Sequence, residues 1–322
     1  MTQEGRTFNG REAVDPAATL PAGSTLRFQS VHLMCRPSGA AGVVEAMDAF
    51  QGVVLTLSFT DSLHDFVEGS AVLVAPGIAL SAWHVLKPRL EAIMAGEITA
   101  QCLGVASDGV RLWQVRKVTH VPETDVVILG LSLRSDVSSG TTLYQAHLTT
   151  RFPKIGERLT LYGFRAAAEA LPRDGDGGSA IAGQLLCCAG EVSQVFPTGR
   201  DRVMLPWPTV EVSGPSWGGM SGGPVVDDSG MLIGLLSSSV TAEAGPGPSY
   251  VSHLWPVLTA SFGGGWPESL FTNSTTLLEM DSSLCGIEGR DALRFNTDPV
   301  TGRVTTQYRP WYERPAPQSG GA

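Results

Sequence analysis

The chain has 322 residues, of which 43% are apolar, so it is long enough for one large or two smaller domains with hydrophobic cores. A net charge of -9 excludes the general nucleic-acid binders, which need clustered Lys and Arg to neutralise phosphates. No apolar run reaches the ~18 residues of a membrane span, and the first residues lack the apolar core of a signal peptide, so a cytoplasmic location away from membranes is predicted.

Cysteine usage points to the same compartment. The count is odd and two cysteines are adjacent, which favours free thiols over a disulfide framework: Cys35, Cys102, Cys187, Cys188 and Cys285. No C-x-x-C pair has a matching second pair, and the proximity of His120 and Glu123 is a weak signal. The sequence therefore predicts neither a metal site nor a cofactor.

The chain begins with an N-terminal extension, residues 1–45, which carries only a weak strand signal at 25–35. Residues 46–145 then contain short β-rich runs separated by turn residues, at 53–59, 70–76, 78–86, 110–121 and 125–133. Regular spacing of this kind is typical of an all-β sandwich or barrel. One helix is predicted over residues 87–96, with Gly96 as its C-cap.

A second β-rich set covers residues 146–262. Its predicted strands lie at 157–164, 183–195, 202–207, 209–212, 223–226 and 231–240, and residues 249–262 are expected to form a strand and a short helix. Residues 166–183 are rich in Gly and acidic residues and predict a mobile surface loop. Two such sets in succession predict two β-domains.

The last segment, residues 263–322, is predicted to be a C-terminal appendage. Its one structural signal is a hairpin over residues 291–309, where the sequence NTDPVTG has turn chemistry. The role of this segment and that of residues 1–45 cannot be read from their composition.

The chemistry centres on GPSWGGMSGGPVV, residues 214–226, which holds Ser221 between two pairs of glycines. Alone, this stretch fits a glycine-rich turn as well as a nucleophile. Glycines beside a serine let the backbone bend sharply and let a substrate carbonyl approach. The N–H groups of Gly219 and Ser221 are then the candidate oxyanion donors.

A nucleophilic serine also needs a base and a group that orients the base. His84 ends an apolar strand, and Asp125 opens an apolar strand, where a buried carboxylate would need a partner such as a histidine N–H. The order His84, Asp125, Ser221 argues against the nucleophile elbow of an α/β-hydrolase-type esterase. In that fold the acid and the histidine follow the serine.

These segments resemble those of a known family. SAVLVAPGIALSAWHVL is similar to the histidine segment of trypsin-like (chymotrypsin-fold, PA clan) serine proteases, TDVVILGL to their aspartate segment, and SWGGMSGGPVVDDSGMLIGLLSS to their serine segment. The resemblance covers about residues 50–262 and implies an all-β fold of two six-stranded barrels. The active site would lie between them, with His84 and Asp125 on the first barrel and Ser221 on the second.

Two departures from secreted trypsins bring the sequence closer to bacterial HtrA-type peptidases. Met220 stands where digestive trypsins have an aspartate that pairs with a new N-terminus, and Val85 stands where secreted members have a cysteine. No PDZ domain is recognisable in residues 263–322. Because Met220 cannot form that ion pair, activation by cleavage of a zymogen is not expected.

The resemblance also implies a substrate pocket and a support for the aspartate. Ser237 matches the serine that donates to the buried aspartate. The implied pocket residues are Pro215, Ser216, Ser237, Ser238, Ser239 and Tyr250, the last in a wall formed by roughly Pro248–Tyr250. None carries a negative charge, which predicts an apolar or small side chain before the scissile bond.

The predicted activity is hydrolysis of peptide bonds in a protein or peptide substrate, through an acyl-enzyme that also permits ester cleavage. Regulation by an activating protein partner, or by ordering of residues 166–183, is a further hypothesis. The competing interpretation is a protease fold that serves as a binding or scaffolding module. Such a module would usually have lost a triad residue or gained a bulky residue in the oxyanion turn.

Overall fold

The computed structural model describes residues 25–300, apart from 36, 38, 167–170, 173–182 and 243–244, together with residues 304–309. The described chain begins with two short strands, β1 (Arg27–Val31) and β2 (Ala41–Val43), and a 3₁₀ turn at Met47–Phe50. The weak strand signal at 25–35 is therefore confirmed.

A closed barrel of six antiparallel strands follows. Its strands and helices are β3 (Val54–Thr60), β4 (His64–Ala75), β5 (Ile78–Ala82), α1 (Trp83–Leu86), α2 (Leu90–Ala95), β6 (Thr99–Ala106), β7 (Gly109–His120) and β8 (Val126–Leu133). The order is β4-β3-β6-β7-β8-β5, and pairing of β5 with β4 closes the ring. The helix predicted over 87–96 forms as a 3₁₀ turn at Lys87–Arg89 and then α2, with Gly96 in the left-handed conformation.

The second closed barrel also has six antiparallel strands. This part of the chain contains β9 (Thr142–Ala146), β10 (Leu148–Thr149), β11 (Arg158–Ala166), β12 (Leu171–Pro172), β13 (Gly183–Phe196), β14 (Thr209–Val212), β15 (Pro224–Val226), β16 (Leu232–Ala242), β17 (Gly245–His253) and α3 (Trp255–Leu258). The order is β11-β13-β14-β17-β16-β15, and β15 pairs with both β16 and β11. The all-β fold of two six-stranded barrels is confirmed.

The segments on either side pack onto the barrels. β1 pairs in parallel with β9, and β2 adds to the edge of β13. The C-terminal segment contributes 3₁₀ turns at Glu268–Leu270 and Arg290–Ala292 and the strands β18 (Ile287–Glu288), β19 (Leu293–Thr297) and β20 (Val304–Tyr308). β18 pairs in parallel with β10, and β19 and β20 form the predicted antiparallel hairpin.

The barrel strands are apolar because both of their faces are covered. In β8 seven of the eight residues are buried, which explains its nearly continuous run of Val, Ile and Leu. Large side chains such as Trp113, Phe59 and Leu129 lie in the main hydrophobic core, while a second core that includes Leu161 and Met220 fills the other barrel. No helix among the described residues is long or apolar enough to cross a lipid bilayer.

One predicted strand is wrong. Residues 202–207 form a turn and not a strand, because the Asp201 side chain accepts hydrogen bonds from the N–H groups of Val203 (2.9 Å) and Met204 (2.6 Å). This local bonding offers the backbone an alternative to a strand ladder. It leaves Val203 84% exposed, while Leu205 is buried, so the apolar run that suggested a strand is only partly covered.

The loop predicted over 166–183 falls mostly outside the described residues. Its described part, β12, extends the edge of the first barrel, where Leu171 pairs with Asp65 and Pro172 with His64. The strand β6 was not predicted at all, because its sequence, TAQCLGVA, has too few β-branched residues to stand out.

Candidate active site

His84 and Asp125 come from adjacent elements of the first barrel. His84 is the second residue of α1, which starts where β5 ends, and Asp125 directly precedes β8. β5 and β8 are paired, so their register brings the two residues together. The N–H of Trp83 donates to the backbone carbonyl of Asp125 (2.8 Å), which holds the two chain segments side by side.

The Asp125 carboxylate is buried and accepts three hydrogen bonds. The backbone N–H of His84 donates to Oδ1 (2.9 Å), His84 Nδ1 donates to Oδ2 (2.7 Å), and Ser237 Oγ also donates to Oδ2. A buried carboxylate needs such partners to offset the loss of water. Since Nδ1–H is committed to Asp125, the neutral imidazole leaves Nε2 as a proton acceptor.

Ser221 follows a tight turn in which one position strongly favours glycine. The N–H of Met220 donates to the carbonyl of Trp217 (3.1 Å), and Gly219 occupies the third turn position with φ +90°. A positive φ at that position is the mark of a type II turn, which strongly favours glycine. Gly222 is also required, because a Cβ there would lie 2.3 Å from the carbonyl oxygen of Ser70.

The backbone N–H groups of Gly219 and Ser221 have no acceptor among the residues that the structure describes. Three other amides of this turn are bonded within the protein: Met220 N–H donates to Trp217 (3.1 Å), Gly222 N–H to Leu236 (2.7 Å) and Gly223 N–H to Met220 (2.9 Å). Two neighbouring free donors beside a serine are what an oxyanion requires.

The serine hydroxyl is not hydrogen-bonded to the histidine in this structure. Ser221 Oγ lies 3.4 Å from the carbonyl oxygen of Ser237, and within the described residues His84 Nε2 has no hydrogen-bond partner. The His84 side chain is 49% exposed, so substrate can reach it. Catalytic hydrogen bonds are often long in substrate-free enzymes and tighten in the complex.

The predicted pocket residues fall into two groups. Pro215 and Ser216 precede the turn and are half-buried, and Ser216 Oγ lies 2.9 Å from Ser249 Oγ. Ser249 is fully buried and also donates to the carbonyl of Gly214 (2.8 Å). Ser249 lies inside the wall expected at Pro248–Tyr250, but only the pairing of β17 with β14 shows which face of the strand it occupies.

The remaining pocket predictions lie on β16 and β17. Ser237 is buried against Asp125, Ser238 is exposed, and the side chain of Ser239 lies outside the described part of the chain. Tyr250 follows Ser249 in β17 and so faces the other side of the strand. The centroid of its ring lies 4.7 Å from the guanidinium carbon of Arg200. Burial is the main cause that raises the pKa of its hydroxyl, and the Glu211 carboxylate adds to the effect.

Two other histidines have structural partners. His120 stacks on Trp83 with 4.4 Å between ring centroids, and its Nε2 lies 2.8 Å from the carbonyl of Thr124. His253, the one histidine after Ser221 in the sequence, is buried against Phe152, and burial lowers its pKa to about 4. Across the described residues, no group of three or more His, Cys, Asp or Glu side chains is placed to hold a metal ion.

The sequence of the chain matches a known protein family. Residues 69–235, more than half of the chain, match the family model described as a trypsin-like peptidase domain. No curated protein matches the chain.

Three solved structures illustrate the similarity in fold. Deg5 is 17% identical with a TM-score of 0.42, over 58% of this chain and 80% of that chain. The MamO protease domain from Magnetospirillum magneticum is 15% identical with a TM-score of 0.42, over 64% and 93%. The HtrA-type protease AlgW with a tripeptide is 22% identical with a TM-score of 0.39, over 63% and 56%.

Proposed function

The chain belongs to the trypsin-like peptidase domain family and is a serine protease, and from this premise we propose that it cleaves peptide bonds within proteins through His84, Asp125 and Ser221. The observation that carries the proposal is the hydrogen bond of 2.7 Å between His84 Nδ1 and the buried Asp125 carboxylate. This bond leaves His84 Nε2 as a proton acceptor on an exposed ring. The turn that carries Ser221 adds two N–H donors that have no acceptor among the described residues.

The reaction follows from these roles. His84 Nε2 takes the proton from Ser221 Oγ as the oxygen attacks the substrate carbonyl, and the N–H groups of Gly219 and Ser221 stabilise the oxyanion. His84 then gives the proton to the leaving amine, and the C–N bond breaks to leave an acyl-serine. Water, activated by the same imidazole, hydrolyses this ester and regenerates the serine. Asp125 orients His84 and stabilises its cation.

Productive attack requires Ser221 Oγ to turn from the Ser237 carbonyl toward His84 Nε2. The hydrogen bond of 3.4 Å between Ser221 Oγ and the Ser237 carbonyl is long and therefore weak, so breaking it by rotation of the side chain costs little free energy. The exposed His84 ring can adjust at the same time.

Met220 bears on how the enzyme is controlled. Its side chain is completely buried in the core of the second barrel, beside the oxyanion turn. An apolar side chain there cannot form an ion pair with a newly released N-terminus, so switching by N-terminal cleavage is not part of the proposal. Regulation by a protein partner or by residues 166–183 stays a prediction.

Location and domain division also stay predictions. All five cysteines are free thiols in the structure, and four of them are buried, which agrees with a reducing compartment such as the bacterial cytoplasm. The boundaries at 45, 145 and 262 remain those expected from the sequence.

The substrate pocket is proposed to take a small or apolar side chain before the scissile bond. Ser216 and Ser249 bring hydroxyl groups and no charge to this region, and their hydrogen bonds are made to each other and to Gly214. Neither serine offers a negative charge with which a basic side chain could pair.

A peptide library varied at the residue before the scissile bond tests both statements. We expect the wild type to cleave peptides with Ala, Val or Leu at this position, and Ser221→Ala to cleave none of them. Preferred cleavage after Arg or Lys would overturn the pocket assignment. Absence of cleavage by either protein would favour the scaffold interpretation, and equal cleavage by both would contradict Ser221 as the nucleophile.

A further inference from the structure

Ser70 lies in β4 of the first barrel and is completely buried. Its hydroxyl donates to the carbonyl oxygen of Gly219 (2.8 Å) and accepts from the N–H of Phe164 (2.8 Å). Its own N–H donates to the carbonyl oxygen of Ser221 (2.8 Å), and its carbonyl accepts from Ser81 Oγ (2.7 Å). Every polar atom of Ser70 is therefore bonded.

The two carbonyl groups that Ser70 binds belong to the two residues of the proposed oxyanion hole. Gly219 and Ser221 supply the free N–H groups, and each has its carbonyl oxygen held by Ser70 from the opposite barrel. Fixing the carbonyl of a residue fixes its ψ angle, and with it the direction of the neighbouring amides. Gly219 has no side chain and a φ of +90°, so it depends on such contacts for its conformation.

We propose that Ser70 is a positioning residue for the oxyanion hole, whose hydroxyl holds the Gly219–Met220 peptide so that both N–H donors face the substrate carbonyl. The inference rests on the proposed function. It links the barrels at the point of chemistry, because Phe164 of the second barrel is bonded to the same hydroxyl. Ser70 touches no reacting atom and acts through the turn alone.

The side-chain bond is the one that can be removed. Replacing Ser70 by alanine keeps the backbone bond to Ser221 but leaves the Gly219 carbonyl and the Phe164 N–H without their partner. A buried carbonyl that has lost its donor can be satisfied if the peptide turns. Turning the Gly219–Met220 peptide disturbs the alignment of the donors on either side, which weakens stabilisation of the transition state more than binding of the ground state.

The test is the kinetics of labelling by a fluorophosphonate, which forms a tetrahedral adduct at a nucleophilic serine. For Ser70→Ala we expect the maximal labelling rate, kinact, to fall about tenfold to a hundredfold, somewhat less than the loss of a direct oxyanion donor. The half-saturating concentration, KI, should stay within about twofold of wild type. Labelling is measured well below the melting temperature of each variant, where the folded fraction is close to one, so lost stability alone would not move kinact.

The matched control is Ser58→Ala. Ser58 is equally buried in the same barrel and donates to the carbonyl of Gln101 (3.2 Å), away from the turn. It should lose comparable stability in thermal unfolding and keep the wild-type kinact. Ser70→Cys, which retains only a weak donor, should give a kinact between wild type and Ser70→Ala.

The outcomes separate this inference from the proposed function. Wild-type kinact in Ser70→Ala, or in Ser70→Cys if the alanine variant does not fold, would overturn the role of Ser70 while leaving the protease intact. An equal fall in Ser58→Ala would reduce Ser70 to a structural residue. Absence of labelling at Ser221 in the wild type would instead count against the proposed function.

Discussion

Replacing His84 by alanine is expected to lower kcat/KM for peptide hydrolysis by about 10⁴- to 10⁶-fold, as loss of the base does in serine proteases generally. The reason is that His84 Nε2 is the proton acceptor of the proposed mechanism, and His120, which stacks on the adjacent Trp83 and is bonded to Thr124, is not free to replace it. The measurement is steady-state hydrolysis of the best library peptide by the two purified proteins.

His64→Ala provides the control for this variant. His64 lies on the same strand-rich barrel, its side chain is 47% exposed, and its nearest charged partner is Asp61 at 3.8 Å. It should retain kcat/KM within about twofold of wild type, because exposed surface substitutions rarely disturb a fold. Activity of His84→Ala within tenfold of wild type would contradict the assignment of His84 as the base.

Asp125→Asn should lower kcat by about 10⁴-fold while leaving the fold intact. Asn has the size of Asp. In the wild type the surrounding donors meet two carboxylate oxygens, whereas in the variant they meet one oxygen and one NH₂ group. At the Asp125 position those donors are the His84 N–H and Nδ1–H groups and the Ser237 hydroxyl. An NH₂ group facing Nδ1 favours the tautomer with the proton on Nε2, which cannot accept the serine proton.

The matched variant is Asp108→Asn. Asp108 is 59% exposed and pairs with Arg111, so the same chemical change there should leave kcat unchanged. Thermal unfolding of both variants and the kinetics of hydrolysis separate loss of structure from loss of chemistry. A normal kcat in Asp125→Asn would show that His84 is oriented by something other than this carboxylate.

The residues of the candidate site could be predicted because each lies in a distinctive local sequence. His84 follows an apolar strand, Asp125 precedes one, and Ser221 stands among glycines that the turn requires; the fold then brings His84 and Asp125 to 2.7 Å. Ser237 was predicted from the family resemblance, and it does donate to Asp125. Periodicity and turn residues were likewise enough to predict most barrel strands.

Other features depend on contacts between residues far apart in the sequence. The role proposed for Ser70 rests on a bond to a carbonyl 149 residues away, and nothing local distinguishes this serine from others in a strand. Ser249 falls within a predicted pocket wall, but its bonds to Gly214 and Ser216 become apparent only once β17 lies beside β14. Residues 202–207 misled because an apolar run does not reveal that a preceding aspartate will bond the backbone into a turn.

The most direct test of the account is the site of covalent labelling by a fluorophosphonate probe, located by mass spectrometry of the digested protein. The account predicts one phosphonyl group per chain, on the peptide that carries Ser221, and no adduct in Ser221→Ala. An adduct on a different serine, or equal labelling of Ser221→Ala, would contradict the assignment of Ser221 as the nucleophile.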